Sequence, residues 1–366
     1  MRETLSEPTT AAGARRPRLG FLGLGWIGLH RLRAVVESGI AEVAALADPS
    51  AEARAGAEAA AGGAPVVDGL DPLLDLGLDG IVVATPSALH AEQATAALER
   101  GLAVFCQKPL GRTAPEVAGV IETARRNDRL LGVDLSYRFT RAVQAIRRRL
   151  REGVIGDVHA VELAFHNAYG PDKPWFYDRR LSGGGCVIDL GIHLVDLALW
   201  VLGHPRVVGV ESRIFAAGAL LRPPIDAVVE DHAAALIDLE GGDLERRAVA
   251  TLACSWKLPL GADCAIEAGF FGSRGGLALR NVAGSFYDLR AELYRGRTRE
   301  VIEEPPDAWG GRAVVDWARR LRSGARYDAG VEGLVQVHEV LDRIYGRDAA
   351  VRETRPRREG AGHVLA

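Results

Sequence analysis

The sequence predicts an α/β chain in two parts. The first is an N-terminal doubly wound parallel sheet with helices on both faces; the second is a C-terminal α+β domain with a large open, mostly antiparallel sheet. Three observations predict it. From Arg18 to about Arg138, short and nearly continuous apolar runs alternate with amphipathic helical stretches, as parallel strands buried on both faces require. After about Glu152 the strands lengthen and alternate apolar with polar residues, which suits a sheet with one wet face. The 366 residues, at ~150 per domain, leave room for two cores.

In chain order, the expected strands of the first part are residues 19–22, 43–47, 65–67, 81–84, 102–106 and 131–135. Amphipathic helices are expected between them at 27–37, 50–61, 88–100 and 115–127. Right-handed crossovers turn this alternation into a doubly wound sheet. A linking helix at 141–152 leads to alternating strands such as 157–165 and 231–239, with Gly241-Gly242 and Gly275-Gly276 marking turns. A helix near 187–202 should cover the second sheet, and helices near 308–322 and 330–344 close the chain. The expected divisions are an arm at 1–17, a first domain at 18–139, a second at 140–328, a C-terminal helix at 329–350 and a tail at 351–366.

Composition narrows the function. Apolar residues make up 48% and charged residues 25%, as in ordinary folded chains. A net charge of −3 is too balanced for a nucleic-acid binder or a polybasic membrane-surface protein. The most apolar stretch, 186–203, carries Asp189, His193 and Asp196, so no membrane span is expected. Cys106, Cys186, Cys254 and Cys264 form no C-x-x-C pair and read as free thiols in a reducing, cytoplasmic setting. The polar first sixteen residues read as a loose arm rather than a signal peptide. Only three lysines (Lys108, Lys173, Lys257) stand against 42 arginines, which makes them the better candidates for chemistry needing a cation that can deprotonate.

The first strand runs into Gly23-Leu24-Gly25-Trp26-Ile27-Gly28 ahead of a helix. The first glycine permits the tight turn, the second lets the backbone approach a pyrophosphate, and the third lets helix and strand pack closely. A diphosphate would sit at the helix N-terminus, beside Gly23, Gly25, Trp26 and Ile27. The second strand ends at Asp48, whose carboxylate can accept from both adenosine ribose hydroxyls and would repel a 2′-phosphate. NAD is therefore the expected cofactor, with NADP disfavoured. Thr85, Pro86 and Ser87 end a later strand at the edge where dinucleotides lie, although Ser87 equally reads as a helix N-cap. His90 reads either as a cofactor neighbour or as a surface histidine.

Gln107-Lys108-Pro109 ends the next strand and aims Lys108 at the same cleft; a snorkelling surface lysine is the bland alternative. The other polar concentration is Ser182-Gly183-Gly184-Gly185 followed by Asp189, His193 and Asp196 on an apolar helix. Asp189 and His193 are four apart and share a face, with Asp196 near it. Three readings stay open on the residues alone: a carboxylate–imidazole catalytic pair, a core histidine bonded to a carbonyl, or ligands for a divalent ion.

Gly-x-Gly-x-x-Gly-x-His at 23–30, Thr85-Pro-Ser-Ala-Leu-His90, Gln107-Lys108-Pro109, Tyr137-Arg138-Phe139 and Gly183-Gly-Gly…Asp189-x-Gly-x-His193 occur in one order. The chain from about 18 to 345 resembles the glucose–fructose oxidoreductase / inositol dehydrogenase family, also written Gfo/Idh/MocA. The resemblance implies a Rossmann domain followed by a domain whose open sheet makes subunit contacts, in a homodimer or homotetramer. It implies nicotinamide-dependent oxidation, or the reverse reduction, of a secondary hydroxyl of a sugar, amino sugar or cyclitol, with no metal. Lys108, Asp189 and His193 fall on the family's catalytic positions. His193 is then the general base in oxidation and the acid in reduction, Lys108 bonds the reacting oxygen, and Asp189 holds the substrate or orients His193. One departure is Gln107 where the family carries glutamate; an amide supplies no charge to hold Lys108 protonated.

Tyr137, Arg138, Asn167, Tyr169, Lys173, Trp175 and Tyr177 are candidate substrate walls, since they lie beside the motifs or in the loop before the glycine run. Asp172 and Asp178 in that loop would suit an amino sugar, and with it a role in aminoglycoside tailoring. Two rival functions are an NAD-dependent glycoside hydrolase and a non-catalytic NAD-binding sensor.

Overall fold

A computed structural model describes residues 15–347 except 223, 224 and 226; the expected tail and most of the arm lie outside them. The first part alternates strand and helix: β1 Arg18–Leu22, α1 Trp26–Ser38, β2 Glu42–Ala47, α2 Ala51–Ala60, α3 Leu70–Leu74, β3 Gly80–Val83, α4 Ser87–Glu99, β4 Ala103–Cys106, α5 Ala114–Arg126 and β5 Leu131–Val133. The strands pair in parallel in the order β2-β1-β3-β4-β5. The expected strand at 65–67 shrinks to one parallel bridge, Leu46 to Val66, on the outer side of β2. The short α3 was not foreseen. Local chemistry fixes the helix starts: Ser50 accepts from Ala53 N–H, and Thr113 accepts from Glu116 N–H with Pro115 in the first turn.

α6 Arg141–Arg151, capped by Thr140, leads to β6 Val158–Asn167. Then come α7 Arg179–Ser182, a π-helical turn Val187–Gly191 and α8 Ile192–Val201. The remaining strands are β7 Arg206–Ala216, β8 Ala219–Leu221, β9 His232–Glu240, β10 Ala248–Ser255, β11 Cys264–Gly272, β12 Gly275–Asn281, β13 Leu289–Arg295 and β14 Thr298–Glu303. They form a nine-stranded sheet, β14-β13-β12-β11-β6-β10-β9-β7-β8, in which only β6 and β10 run parallel. β9 shows why one face is wet: its residues alternate buried and exposed along its whole length.

The π turn and α8 lie on the buried face of that sheet, where Val187, Ile192, Val195 and Leu199 join the core. The helical stretch Arg179–Val201 is long and apolar enough, by length and composition only, to cross a membrane. In the fold 83% of its apolar window is buried inside the protein.

The chain ends with α9 Arg312–Arg322 and α10 Gly333–Ile344. The sequence reading placed α9 within the second part, yet its Val314 and Trp317 are buried with Leu19 and Phe21 of the first sheet. Trp317 lies 5.7 Å from Phe105, ring to ring. The last helices thus lock the two sheets together, and the segment after β4 reaches the π turn through Lys108 and Asp189.

Candidate active site

The turn after β1 carries out the three jobs assigned to its glycines. Gly23 has φ 88°, and a Cβ there would lie 2.5 Å from the Ala84 carbonyl group. A Cβ on Gly28 would overlap the Gly23 carbonyl oxygen. Gly25 has nothing within 4 Å of where its Cβ would be, so its bareness serves space outside the protein rather than packing. α1 starts there with no side-chain cap and no acid in its first turn, leaving its N–H groups free for an anion. Asp48 is fixed by accepting Leu24 N–H on Oδ2 and Ser50 N–H on Oδ1, both at 2.7 Å. Each oxygen keeps a lone pair for a ribose hydroxyl. Trp26 stands 67% exposed at the mouth, and Ile27 is half-buried.

Among the later cofactor candidates, Gln107 is the clearest: its Oε1 is buried with no partner in the protein. A bare turn, a free helix terminus and an orphaned acceptor fit a bound dinucleotide. The Thr85 hydroxyl donates to Gln93 Oε1 at 2.6 Å, so its proton is already used. Pro86 caps α4, and Ser87 is the buried first residue of that helix rather than its cap. His90 is neither at the surface nor open to a ligand. It is 1% exposed, with Nδ1 2.7 Å from the Pro109 carbonyl oxygen and Nε2 2.6 Å from that of Thr85. It ties together the loops after β3 and β4.

Lys108 extends from the end of β4 to the π turn. Its ammonium donates to Asp189 Oδ1 at 2.8 Å and to the Asp189 carbonyl oxygen at 2.7 Å. The negative charge that Gln107 does not supply therefore comes from Asp189. The glycine run is bare for internal reasons: side chains on Gly184 and Gly185 would overlap the Tyr345 hydroxyl and the Glu230 carbonyl oxygen. Buried Glu230 accepts N–H groups of Gly185 at 2.9 Å and Val187 at 3.0 Å, plus the Tyr345 hydroxyl at 2.7 Å, and so sets the turn that carries Asp189.

His193, one turn on, has its Nδ1 buried without a partner. Its ring meets Tyr137 nearly edge-on at 4.9 Å. Burial, then the charges of Lys108 and Arg31, push its imidazole well below the usual histidine range. It is neutral at pH 7 and can accept a proton. Asp196 faces elsewhere: Arg138 donates to both of its oxygens, through Nε at 2.8 Å and through a second nitrogen. With the two acids on different cations, the metal-ligand reading of this helix loses its donor set.

The candidate wall divides. Asn167 is buried with an unpartnered Oδ1. Tyr169 and Tyr177 are half-exposed, and Tyr137 is a buried support for the imidazole. Trp175 stacks on Phe176 at 3.8 Å. Arg138 is committed to Asp196, which removes it from the wall. Lys173 is exposed and pairs with Asp172 at 3.1 Å. Asp178 caps α7 and pairs with exposed Arg180 at 2.8 Å.

Sequence reasoning missed two parts of the site. One is Trp256, whose Nε1 donates to Asp189 Oδ2 at 3.1 Å. The other is a buried Arg31–Asp134–Ser136 cluster that ties α1 to the segment carrying Tyr137. An arginine on the first helix of a dinucleotide fold and an acid at a strand end were the available signals.

The doubly wound sheet and its nucleotide cradle are those of a nicotinamide-dependent oxidoreductase. The chain belongs to the GFO/IDH/MocA family: residues 18–135 match its oxidoreductase domain with NAD-binding Rossmann fold, and 143–278 its C-terminal domain. The rhizopine catabolism protein MocA of Rhizobium meliloti is 32% identical over 266 residues, covering 70% of this chain and 79% of that protein. Inositol 2-dehydrogenase of Rhizobium meliloti strain 1021 is 28% identical over 349 residues, covering 93% and 98%. Among solved structures, KijD10, a 3-ketoreductase from Actinomadura kijaniata in complex with NADP and TDP-benzene, shares the fold. It superposes with a TM-score of 0.75 at 23% identity, over 90% of this chain and 97% of that one.

Proposed function

We propose that the chain oxidises a secondary hydroxyl of a sugar, amino sugar or cyclitol, or forms it in reverse, with NAD as the preferred partner. The observation that carries this reading is the meeting of Lys108, Asp189 and a neutral, unpartnered His193 beside the nucleotide cradle. Bound NAD would supply the hydride acceptor. Gly23, Gly25 and α1 would hold its diphosphate, Asp48 its adenosine ribose, and Gln107 the nicotinamide half. His193 takes the hydroxyl proton as the carbon gives up hydride, and returns it in reduction. Lys108 has three N–H groups, two of them given to Asp189, and turns the third to the reacting oxygen. Asp189 thus orients the lysine rather than the imidazole. Asn167, with Tyr169 and Tyr177, would line the substrate.

An amino sugar stays within the substrate class, since Asp172 and Asp178 are held only by exposed surface pairs that exchange partners readily. A panel of inositols, aldoses, glycosides, amino sugars and nucleotide sugars, each with NAD and NADP, tests the reading. A net rise in reduced-nicotinamide absorbance with a polyol, sugar or amino sugar supports it. Product release without such a rise would mean the NAD-dependent hydrolase, and NAD binding with no turnover the sensor. Copies would pair through the outer face of the nine-stranded sheet, where Val208, Leu236 and Val249 lie exposed, and sedimentation tests that.

A further inference from the structure

Trp256 follows β10 and is 3% exposed. Its backbone N–H donates to the Asp231 carbonyl oxygen at 2.7 Å. Its ring stands edge-on to Phe176 at 6.4 Å and to Tyr177 at 5.7 Å. The indole is therefore fixed before it meets Asp189. Its Nε1–H takes Oδ2 of that carboxylate at 3.1 Å, while Lys108 takes Oδ1 at 2.8 Å.

The terminal torsion of an aspartate is broad and soft, so one partner leaves the carboxylate plane free to swing. A second donor on the other oxygen stops it. Since two of the three ammonium N–H groups point at Asp189, fixing that residue also fixes the direction of the third.

We infer that Trp256 is a positioning residue for the catalytic pair: its indole N–H sets the Asp189 carboxylate and, through it, aims the free N–H of Lys108 at the reacting oxygen. This rests on the reading of Lys108 given above, so its test must not depend on turnover.

The composition supplies one. With three lysines in the chain, side-chain 15N-lysine labelling gives at most three ammonium signals, and Lys108→Arg assigns the one from Lys108. In the unaltered protein the Lys108 ammonium protons should exchange with water more slowly than those of exposed Lys173. Trp256→Phe keeps a ring but no donor, and should speed Lys108 exchange about tenfold, the scale of one hydrogen bond to a charged group, with Lys173 unmoved. Trp256→Gln keeps an N–H at similar reach and should recover most of the slow exchange. Should Trp256→Phe fail to fold, Trp256→Leu, which likewise has no donor, takes its place against Trp256→Gln: exchange speeds up in the first and stays slow in the second. Unchanged exchange in a folded Trp256→Phe protein, or equal losses in the Phe and Gln variants, overturns the inference. On any substrate from the panel, Trp256→Phe should lower kcat about tenfold with little change in KM. Absence of turnover on every substrate would count against the proposed reaction and leave the exchange result standing.

Discussion

The Lys108 ammonium and the Asp189 carboxylate, 81 residues apart in sequence, meet at 2.8 Å with only 14% and 16% of their side chains exposed. One comes from the first sheet and the other from the second domain's π turn. The pair is thus at once part of the site and a link between the two halves of the chain.

Removing one partner leaves the other charge in a poorly solvated cleft. Lys108→Met should therefore lower stability by about 2–4 kcal/mol, and the double change with Asp189→Asn should restore much of it. Turnover should fall by roughly 10²–10³ in both, because the donor to the reacting oxygen is gone in each. Melting curves and kcat for the parent, each single variant and the double variant check this. Additive stability losses in the double variant would mean that the pair is not coupled.

The pH dependence of oxidation follows from the imidazole. His193 must be neutral to accept a proton, and burial with the charges of Lys108 and Arg31 holds its pKa well below the ordinary value of 6.5. Activity assigned to this group should stay level as pH falls through 6.5, and decline only at lower pH. His193→Asn should cost about 10²–10⁴ in kcat and remove that acidic limb. A limb centred at or above the ordinary histidine value would contradict the geometry.

Most of this site was legible because its residues sit where secondary structure puts them. Glycines, acid and lysine lie at strand ends of a doubly wound sheet, and sequence locates strand ends well. Side-chain partners across the chain were not legible. Arg138 and Asp196 are 58 residues apart, and nothing local says that they neutralise each other. Likewise, nothing local says that Glu230 and Tyr345 fill the space beside the glycine run. His90 was misplaced for the same reason, since its acceptors are carbonyls that only the folded loops bring together. The edge strand at 65–67 failed because a single bridge satisfies so short a run.

The two outer glycines and the middle one should separate binding from folding. Gly28→Ala places a methyl group on the Gly23 carbonyl oxygen, so the protein should lose stability outright. Gly25→Ala meets nothing in the protein, and its φ of −59° suits alanine. That variant should keep its melting temperature while NAD affinity falls at least about tenfold, the methyl group occupying the approach to the pyrophosphate. Calorimetric titration with NAD, alongside thermal melts, checks both. Undiminished NAD binding by Gly25→Ala would remove the cradle from its assigned place.

Acid should destabilise the fold well before its carboxylates protonate. His90, His193 and His338 all have pKa values lowered by burial, although the carbonyls of Pro109 and Thr85 partly oppose this at His90, and the Leu334 carbonyl and the Asp342 charge do so at His338. Unfolded, each histidine takes up its proton near ~6.5; folded, each resists it to lower pH. The unfolded state therefore binds more protons in the interval between, and stability falls as pH drops through it. Above about 6.5 this contribution is fully present, and below the folded values the loss levels off. Each fully resisted proton costs up to ~1.4 kcal/mol per pH unit. His338 isolates the effect, because it lies away from Lys108 and Asp189: its ring is fully buried and its Nδ1 is 2.9 Å from the Leu334 carbonyl oxygen. His338→Gln can keep the contact to Leu334 and has no proton to gain, so its melting temperature should depend less steeply on pH between 7 and 5 than that of the parent. Parallel curves for the two proteins over that range would show that this histidine takes up its proton as readily folded as unfolded.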